Sequence, residues 1–170
     1  MNRPVPIKPT AGQESVWDYP RPPRLELSPK HIEIICAGIK IADSSRTFRV
    51  LETSQPPVYY IPLADVKRSV LELAEGTSYC EWKGAASYYS LRIGGHFVPE
   101  AAWYYPEPSK AFHAIKHHVA FYASKVMLLE DDGCFVAGER VVSQPGEFYG
   151  GWITGDVVGP FKGEPGSRGW

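Results

Sequence analysis

The sequence has few cysteines, which limits the ways in which covalent or metal cross-links can hold the fold together. Its three cysteines, Cys36, Cys80 and Cys134, are widely spaced and form no CxxC pair. An odd, scattered set argues against a disulfide framework and against a zinc site with four thiolate ligands. We therefore expect free thiols, a reduced cytoplasmic setting, and no bound metal or cofactor.

Charge of one sign and long apolar runs are also missing. The formal net charge is −1, so the chain has no overall basic field that would attract nucleic acid or an acidic membrane surface. No apolar run approaches the roughly 18 residues of a membrane-spanning helix, and the N-terminus lacks the apolar region of a signal peptide. We expect neither a nucleic-acid partner nor a membrane span.

Long helical patterns are scarce, whereas proline, glycine and aromatic residues are abundant. The chain has 16 prolines and 16 glycines, and aromatic residues make up 13% of its 170 residues. Short β-branched or aromatic segments between turn signals favour a mainly β fold of antiparallel sheets, with one or two short helices. The length is typical of one domain with a sizeable core.

Composition divides the chain into an arm, a core and a tail. Residues 1–27 are proline-rich and form either an arm ordered by Trp17 and Tyr19 or a disordered leader. Residues 28–143 are the predicted β-rich core domain. Residues 144–170 are a glycine-rich extension that we expect to pack on the core through its aromatic side chains.

The strand signals are β-branched and aromatic segments bounded by turn residues. Ala37-Gly38 and Asp131-Asp132-Gly133 are predicted hairpin turns, and Ser109 is a predicted N-cap for a short helix over residues 110–116. The predicted strands span residues 31–36, 39–42, 46–53, 58–61, 77–80, 85–93, 101–105, 119–122, 126–129 and 134–137.

Residues 80–84 combine a thiol, an indole and an amine beside a glycine. A lysine near a cysteine can lower the thiol pKa, which makes Cys80 and Lys83 candidate catalytic residues. Strand alternation places residues 80 and 82 on one face and Lys83 on the other, unless a bulge at Gly84 redirects it. The alternative is a buried structural cysteine with a core tryptophan and a solvated lysine.

Glu52 is the third candidate for catalysis. Alternation places it on the inward face of its strand and Arg49 on the opposite face. An inward carboxylate is costly unless it is paired, and Lys83, Arg46 or Arg49 could pair with it. Glu52 is therefore either a pocket carboxylate or one half of a structural ion pair.

Aromatic residues recur in adjacent pairs, and such a pair places one ring on each face of a sheet. Outward rings can form a cage for a flat or cationic ligand, whereas plain core packing is the alternative. The predicted ligand-binding residues are Tyr60, Trp82, Tyr88, Trp103 and Arg49. His113, His117 and His118 have a spacing that could hold a metal, but no HExxH glutamate accompanies them, so we expect solvated histidines.

Four ordered motifs resemble those of a known family over roughly residues 28–137. They are Glu52-Thr53 with Pro56-Pro57-Val58-Tyr59-Tyr60-Ile61-Pro62, then Cys80-Glu81-Trp82-Lys83-Gly84, then Ala102-Trp103-Tyr104-Tyr105-Pro106, and finally Val119-Ala120-Phe121-Tyr122. Together they resemble the family named domain of unknown function 427, also labelled nucleotidyltransferase-like. Glu81 stands where the family commonly has proline, and Leu63 where it commonly has arginine.

The resemblance implies a small fold of coiled antiparallel sheets, similar to the Mss4-like or β-tent architecture, and no established reaction. The transferase label has little support in the residues. Polymerase-type nucleotidyl transfer needs carboxylates that hold two magnesium ions, and the chain lacks a Gly-Ser followed by an Asp-x-Asp pair. A GxxxxGK[ST] phosphate-binding loop is also missing.

Three functions follow as hypotheses. The first is a module that binds a small molecule in an aromatic and polar pocket. The second is an enzyme that uses Cys80 or Lys83 as nucleophile, with Glu52 as general acid or base. The third is a structural or interaction protein whose arm or tail meets a partner or a second subunit in a homodimer.

Overall fold

The chain folds into antiparallel sheets, as seen in a computed structural model that describes residues 3–170. Short 3₁₀ turns supply the helical content, and the longest of them is Lys110–Ile115. The strands are β1 (Glu14–Ser15), β2 (Arg24–Ser28), β3 (Ile32–Cys36), β4 (Ile39–Ser44), β5 (Thr47–Leu51), β6 (Val58–Pro62), β7 (Leu71–Cys80), β8 (Gly84–Ile93), β9 (His96–Tyr104), β10 (His118–Phe121), β11 (Gly133–Val136), β12 (Glu139–Arg140), β13 (Val142–Ser143), β14 (Trp152–Ile153) and β15 (Val157–Val158).

Two sheets contain most of the strands. Seven strands pair in the order β2-β5-β6-β10-β9-β8-β7, and four pair in the order β12-β11-β3-β4. Every pairing within these sheets is antiparallel. The prediction of a mainly β fold of antiparallel sheets is therefore confirmed.

Strand alternation divides the buried residues between two clusters. Tyr59, Ile61 and Phe121 belong to the larger cluster, which also takes residues from both main sheets. Tyr60 and Ala120, one residue along the same strands, belong to a second cluster. Because neighbouring side chains point to opposite faces of a strand, the seven-stranded sheet buries residues on both faces. The second face carries the candidate site.

The N-terminal segment and the tail contact each other. β1 and β15 form a parallel pair, and Trp17 and Tyr19 are buried with Leu51 and Val157. The indole N–H of Trp17 donates to the Pro160 carbonyl oxygen at 2.9 Å. These contacts hold the segment around Trp17 against the strand β5.

Three local predictions are wrong. Asp131-Asp132-Gly133 is not a hairpin turn, because Gly133 already belongs to β11, which pairs with β3 and β12. Residues 126–129 do not form a strand, since the backbone N–H groups of Leu128 and Leu129 donate to the Asp132 carboxylate at 3.1 and 2.7 Å. Ser109 does not cap the following segment with its side chain. Its hydroxyl donates instead to the Trp82 carbonyl oxygen at 2.6 Å, and the segment itself is a 3₁₀ turn interrupted at Phe112.

Among residues 3–170, no helix is long and apolar enough to cross a membrane.

Candidate functional site

A cleft of about 360 Å³ lies on the second face of the seven-stranded sheet. Residues of the five strands β5 to β9 line it, and residues 148–150 complete the lining. The cleft brings together six of the residues predicted from the sequence as site residues. They are Glu52, Tyr60, Cys80, Lys83, Tyr88 and Trp103.

The turn between β7 and β8 brings Cys80 and Lys83 to the same cleft. Cys80 pairs with Gly84 across the hairpin, and residues 81–83 form the turn. Gly84 has a φ of 104°, a backbone conformation that favours glycine. The Lys83 carbonyl also accepts the backbone N–H of Ser109 at 2.9 Å, which fixes the turn. The chain reversal thus overrides the strand alternation that would place the two side chains on opposite faces.

Lys83 is a buried cation, only 9% exposed. Its ammonium lies 5.8 Å from the ring centroid of Tyr105 and 5.7 Å from that of Phe112, within range of cation–π attraction. Among residues 3–170, no carboxylate oxygen lies within 4.0 Å of it. The protein therefore holds this charge against aromatic rings rather than in an ion pair.

The pKa of Lys83 is set by opposing effects. Burial lowers the pKa of the ammonium, but interactions with the Tyr60 hydroxyl, with the Cys80 sulfur and with the Glu52 carboxylate outweigh it, and the net direction of the pKa is upward. Lys83 is therefore an ammonium at neutral pH. Burial also raises the pKa of the Tyr60 phenol, so Tyr60 is neutral at that pH.

Aromatic rings form the walls of the cleft. Tyr60 packs against Trp103 and Tyr105 at centroid distances of 6.4 and 6.3 Å, and Trp103 packs against Tyr122 at 4.6 Å. Burial raises the pKa of Tyr105, and it raises that of Tyr122 to about 12. All of these phenols are neutral at physiological pH, so the cleft presents flat apolar faces and hydroxyl groups around one cation.

Glu52 lines the cleft, but its nearest cation is Arg21. The Arg21 guanidinium lies 3.2 Å from the Glu52 carboxylate, and the side-chain amide of Gln55 donates to the same oxygen at 3.2 Å. None of the three partners suggested by the sequence makes this ion pair. Arg46 pairs instead with Asp65.

Two predicted ligand-binding residues lie outside the cleft lining. Arg49 lies on the opposite face of β5, where its guanidinium pairs with Glu14 and with Glu26, the latter at 3.2 Å. Burial lowers the pKa of Arg49, but the hydrogen bond and charge of Glu14 outweigh it and raise the pKa. Trp82 sits in the β7–β8 turn and packs, half-buried, against the second cluster.

Sequence reasoning missed the loop of residues 144–151, which contributes Phe148 and Tyr149 to the cleft. Gln144 anchors the loop, since its side-chain amide accepts the Gly151 N–H at 3.0 Å and donates to the Lys162 carbonyl at 2.9 Å. A Cβ atom on Gly150 would lie 2.0 Å from the Trp103 ring. In the sequence, this wall is indicated locally by one feature, the two aromatic residues that precede Gly150 and Gly151.

The two remaining cysteines and a group of possible metal ligands lie outside the cleft lining. Cys36 and Cys134 are buried, and burial raises the pKa of the Cys36 thiol to about 11. In the described part of the chain, His31, Glu33 and Asp43 form the one cluster with metal-ligand spacing. The Lys40 ammonium lies 2.9 Å from Glu33 and 3.0 Å from Asp43, so it already compensates part of the negative charge of that cluster.

Fold and site together define a mainly β protein of antiparallel sheets with an aromatic-walled cleft around a buried lysine. The chain belongs to the family described as "Domain of unknown function (DUF427)", whose family model matches residues 24–132. That match contains Lys83 and every strand from β2 to β10. No curated protein matches the chain.

Proposed function

We propose that the protein binds a small molecule that carries an anionic group and a flat apolar part. The observation that carries this proposal is Lys83, a cation 9% exposed at an aromatic-walled cleft with no carboxylate within 4.0 Å among residues 3–170. Lys83 remains an ammonium in the fold, and a bound anion could form the ion pair that no carboxylate of the described residues makes with it. A cavity of about 360 Å³ falls in the size range of small-molecule sites.

We infer the charge of the ligand from Lys83 and its flat apolar part from the aromatic rings. Lys83 would pair with a carboxylate or another oxyanion, and burial of the pair would strengthen their attraction. The rings of Tyr60, Trp103 and Tyr122 would pack against a planar or aliphatic body. An aromatic carboxylate is the simplest chemical class that meets both requirements.

The test compares three probes of one size in calorimetric titrations. They are phenylpropanoate, its neutral amide, and phenylpropylamine, which carry negative, zero and positive charge. The wild-type protein should bind the carboxylate best, and Lys83→Met should weaken its binding by about thirtyfold or more, as expected for loss of a buried charge pair. Lys110→Met, which removes an exposed lysine that does not line the cleft, is the matched control. Equal binding of the three probes would refute the proposal.

Catalysis is a second candidate, because Cys80 lines the same cleft as Lys83. In the described residues no histidine lines the cleft, and the Glu52 carboxylate is held by Arg21 at 3.2 Å. Cys80 is partly exposed whereas Cys36 and Cys134 are buried, so iodoacetamide should label only Cys80 in the native protein. If the rate of Cys80 labelling is half-maximal at a pH well below the ordinary thiol pKa, the result would favour the hypothesis that the protein is an enzyme.

We place the protein in a reducing, cytoplasmic compartment. Its three cysteines are free thiols, and disulfides form mainly in oxidising compartments.

A further inference from the structure

A second hollow of about 600 Å³ adjoins the cleft. The two share Ser78, Tyr88, Tyr122 and Phe148 as lining residues. Phe148 is 87% exposed, and it stands at the boundary between them. The cleft and the hollow thus lie side by side along these four residues, and we refer to the two together as the groove.

The two ends of this groove differ in the charges that have no ion-pair partner among residues 3–170, since Glu52 in the cleft is paired with Arg21. Lys83 lines the inner end, whereas Glu100 and Glu147 line the outer hollow. Lys125 also lines the hollow, but its ammonium donates to the Glu100 carbonyl oxygen at 3.0 Å and lies 4.6 Å from the Tyr122 ring centroid. Among residues 3–170, neither glutamate carboxylate forms an ion pair.

The position of the Glu100 carboxylate is fixed by its backbone and by a glycine. Glu100 has a φ of 46° beside an irregular β8–β9 register, and its N–H donates to the Ser90 hydroxyl oxygen at 3.1 Å. Its carboxylate lies over Gly76 of β7, where an added Cβ atom would be 2.3 Å from Oε1. A side chain at position 76 would therefore displace the carboxylate from this place.

We infer that the ligand is an elongated dipolar molecule, with a carboxylate at Lys83 and a positively charged amino group at Glu100 and Glu147. Its apolar middle lies along Tyr88, Tyr122 and Phe148. The chemical class is an amino acid whose amine and carboxylate are far apart, separated by an aromatic or aliphatic spacer. This inference rests on the proposed function, because Lys83 must hold the anionic end.

The experiment compares benzoates that differ only at the para position. One series carries alkyl chains of increasing length, and the other carries the same chains ended by an amine. In calorimetric titrations the amine should tighten binding to the wild-type protein by about three- to fivefold at one chain length, the range expected for a partly exposed ion pair. Added salt should reduce this gain.

The double variant Glu100→Gln/Glu147→Gln, which keeps the shape of both side chains, should remove the gain from the amine and leave binding of the alkyl benzoates unchanged. Glu130→Gln, at an exposed turn away from the groove, is the matched control and should keep the gain. If the alkyl benzoates bind through Lys83 but the amine adds nothing at any length, the dipolar ligand is refuted while the anion site stands. If no benzoate binds, both proposals fail.

Discussion

The indole N–H of Trp103 donates to the hydroxyl oxygen of Tyr60 at 3.4 Å, and the two rings meet edge to face at 6.4 Å. Trp103 belongs to β9 and Tyr60 to β6, and β10 runs between them. Ala120 of β10 pairs with Trp103 and belongs to the same buried cluster. Its small side chain leaves room for the larger rings to meet across the intervening strand. This contact joins two walls of the cleft.

Tyr60→Phe removes the acceptor of this hydrogen bond and keeps the ring. A buried donor left unpaired destabilises a protein by about 1 kcal/mol or more, so urea unfolding should show a loss of that size. Tyr79→Phe is the matched control because Tyr79 is 78% exposed, and it should change the free energy of unfolding by less than about 0.5 kcal/mol. Equal effects of both variants would show that the contact contributes nothing.

Gly150→Ala should disturb the loop wall of the cleft. The new Cβ atom would lie 2.0 Å from the Trp103 ring, so either the loop or the ring must move. Overpacking of this kind costs about 1–3 kcal/mol, which thermal unfolding can measure. Gly155→Ala is the control, since its nearest neighbour would be the Glu139 carboxylate at 3.6 Å, an ordinary contact. A fully stable Gly150→Ala protein would mean that the loop is not seated against Trp103.

The buried carboxylate of Asp132 links two turns. It accepts the backbone N–H groups of Ala37 and Gly38 at 2.8 and 2.9 Å and those of Leu128 and Leu129 at 3.1 and 2.7 Å. Burial raises the pKa of Asp132, but these four donors outweigh it and hold the pKa below its ordinary value. The fold therefore favours the ionised carboxylate.

The stability that Asp132 supplies should depend on pH. Because its pKa is lower in the folded chain, this stability is complete above the unfolded value of about 4 and is lost as the pH falls through the folded pKa. Asp132→Asn should destabilise the protein by about 3 kcal/mol at pH 7, and by less in acid. Asp131→Asn, in the same turn but exposed, should have little effect. If the difference in the free energy of unfolding between the wild type and Asp132→Asn stays constant as the pH falls, this explanation of the role of Asp132 is wrong.

Glu52→Gln should strengthen the binding of an anionic probe. Glu52 lines the cleft that contains Lys83, so its charge opposes an incoming carboxylate, and its removal also leaves Arg21 unpaired. We expect phenylpropanoate to bind about two- to threefold more tightly, as is typical of a partly screened charge. Glu81→Gln, in the exposed turn nearby, should leave the affinity unchanged. Weaker binding by Glu52→Gln would instead assign Glu52 a direct role in holding the ligand.

The fold class could be predicted because strand signals are local. Alternation and turn residues mark β3 to β6 closely, and the hairpin at Ala37-Gly38 follows from its two residues. The failure at residues 126–129 has a distant cause. The Asp132 carboxylate that takes their N–H groups also binds Ala37 and Gly38, and no local pattern reports such a contact.

The candidate site could be predicted in part for the same reason. Alternation along β5 places Glu52 towards the cleft and sends Arg49 to the opposite face, where Glu14 and Glu26 pair with it. The redirection of Lys83 depends on the geometry of the β7–β8 turn. The wall formed by Phe148 depends on how the tail folds back over the sheet, which is a tertiary contact.

We propose that Lys83 serves a ligand rather than the fold, and the free energy of unfolding of Lys83→Met without ligand tests this most directly. Lys83 is 9% exposed and has no carboxylate within 4.0 Å among residues 3–170. Replacement of Lys83 by an apolar side chain of similar length keeps its packing and removes only its cation–π contacts, so urea unfolding at pH 7 should show a loss of less than about 1 kcal/mol. A loss of about 2 kcal/mol or more would contradict the claim and assign Lys83 a structural role.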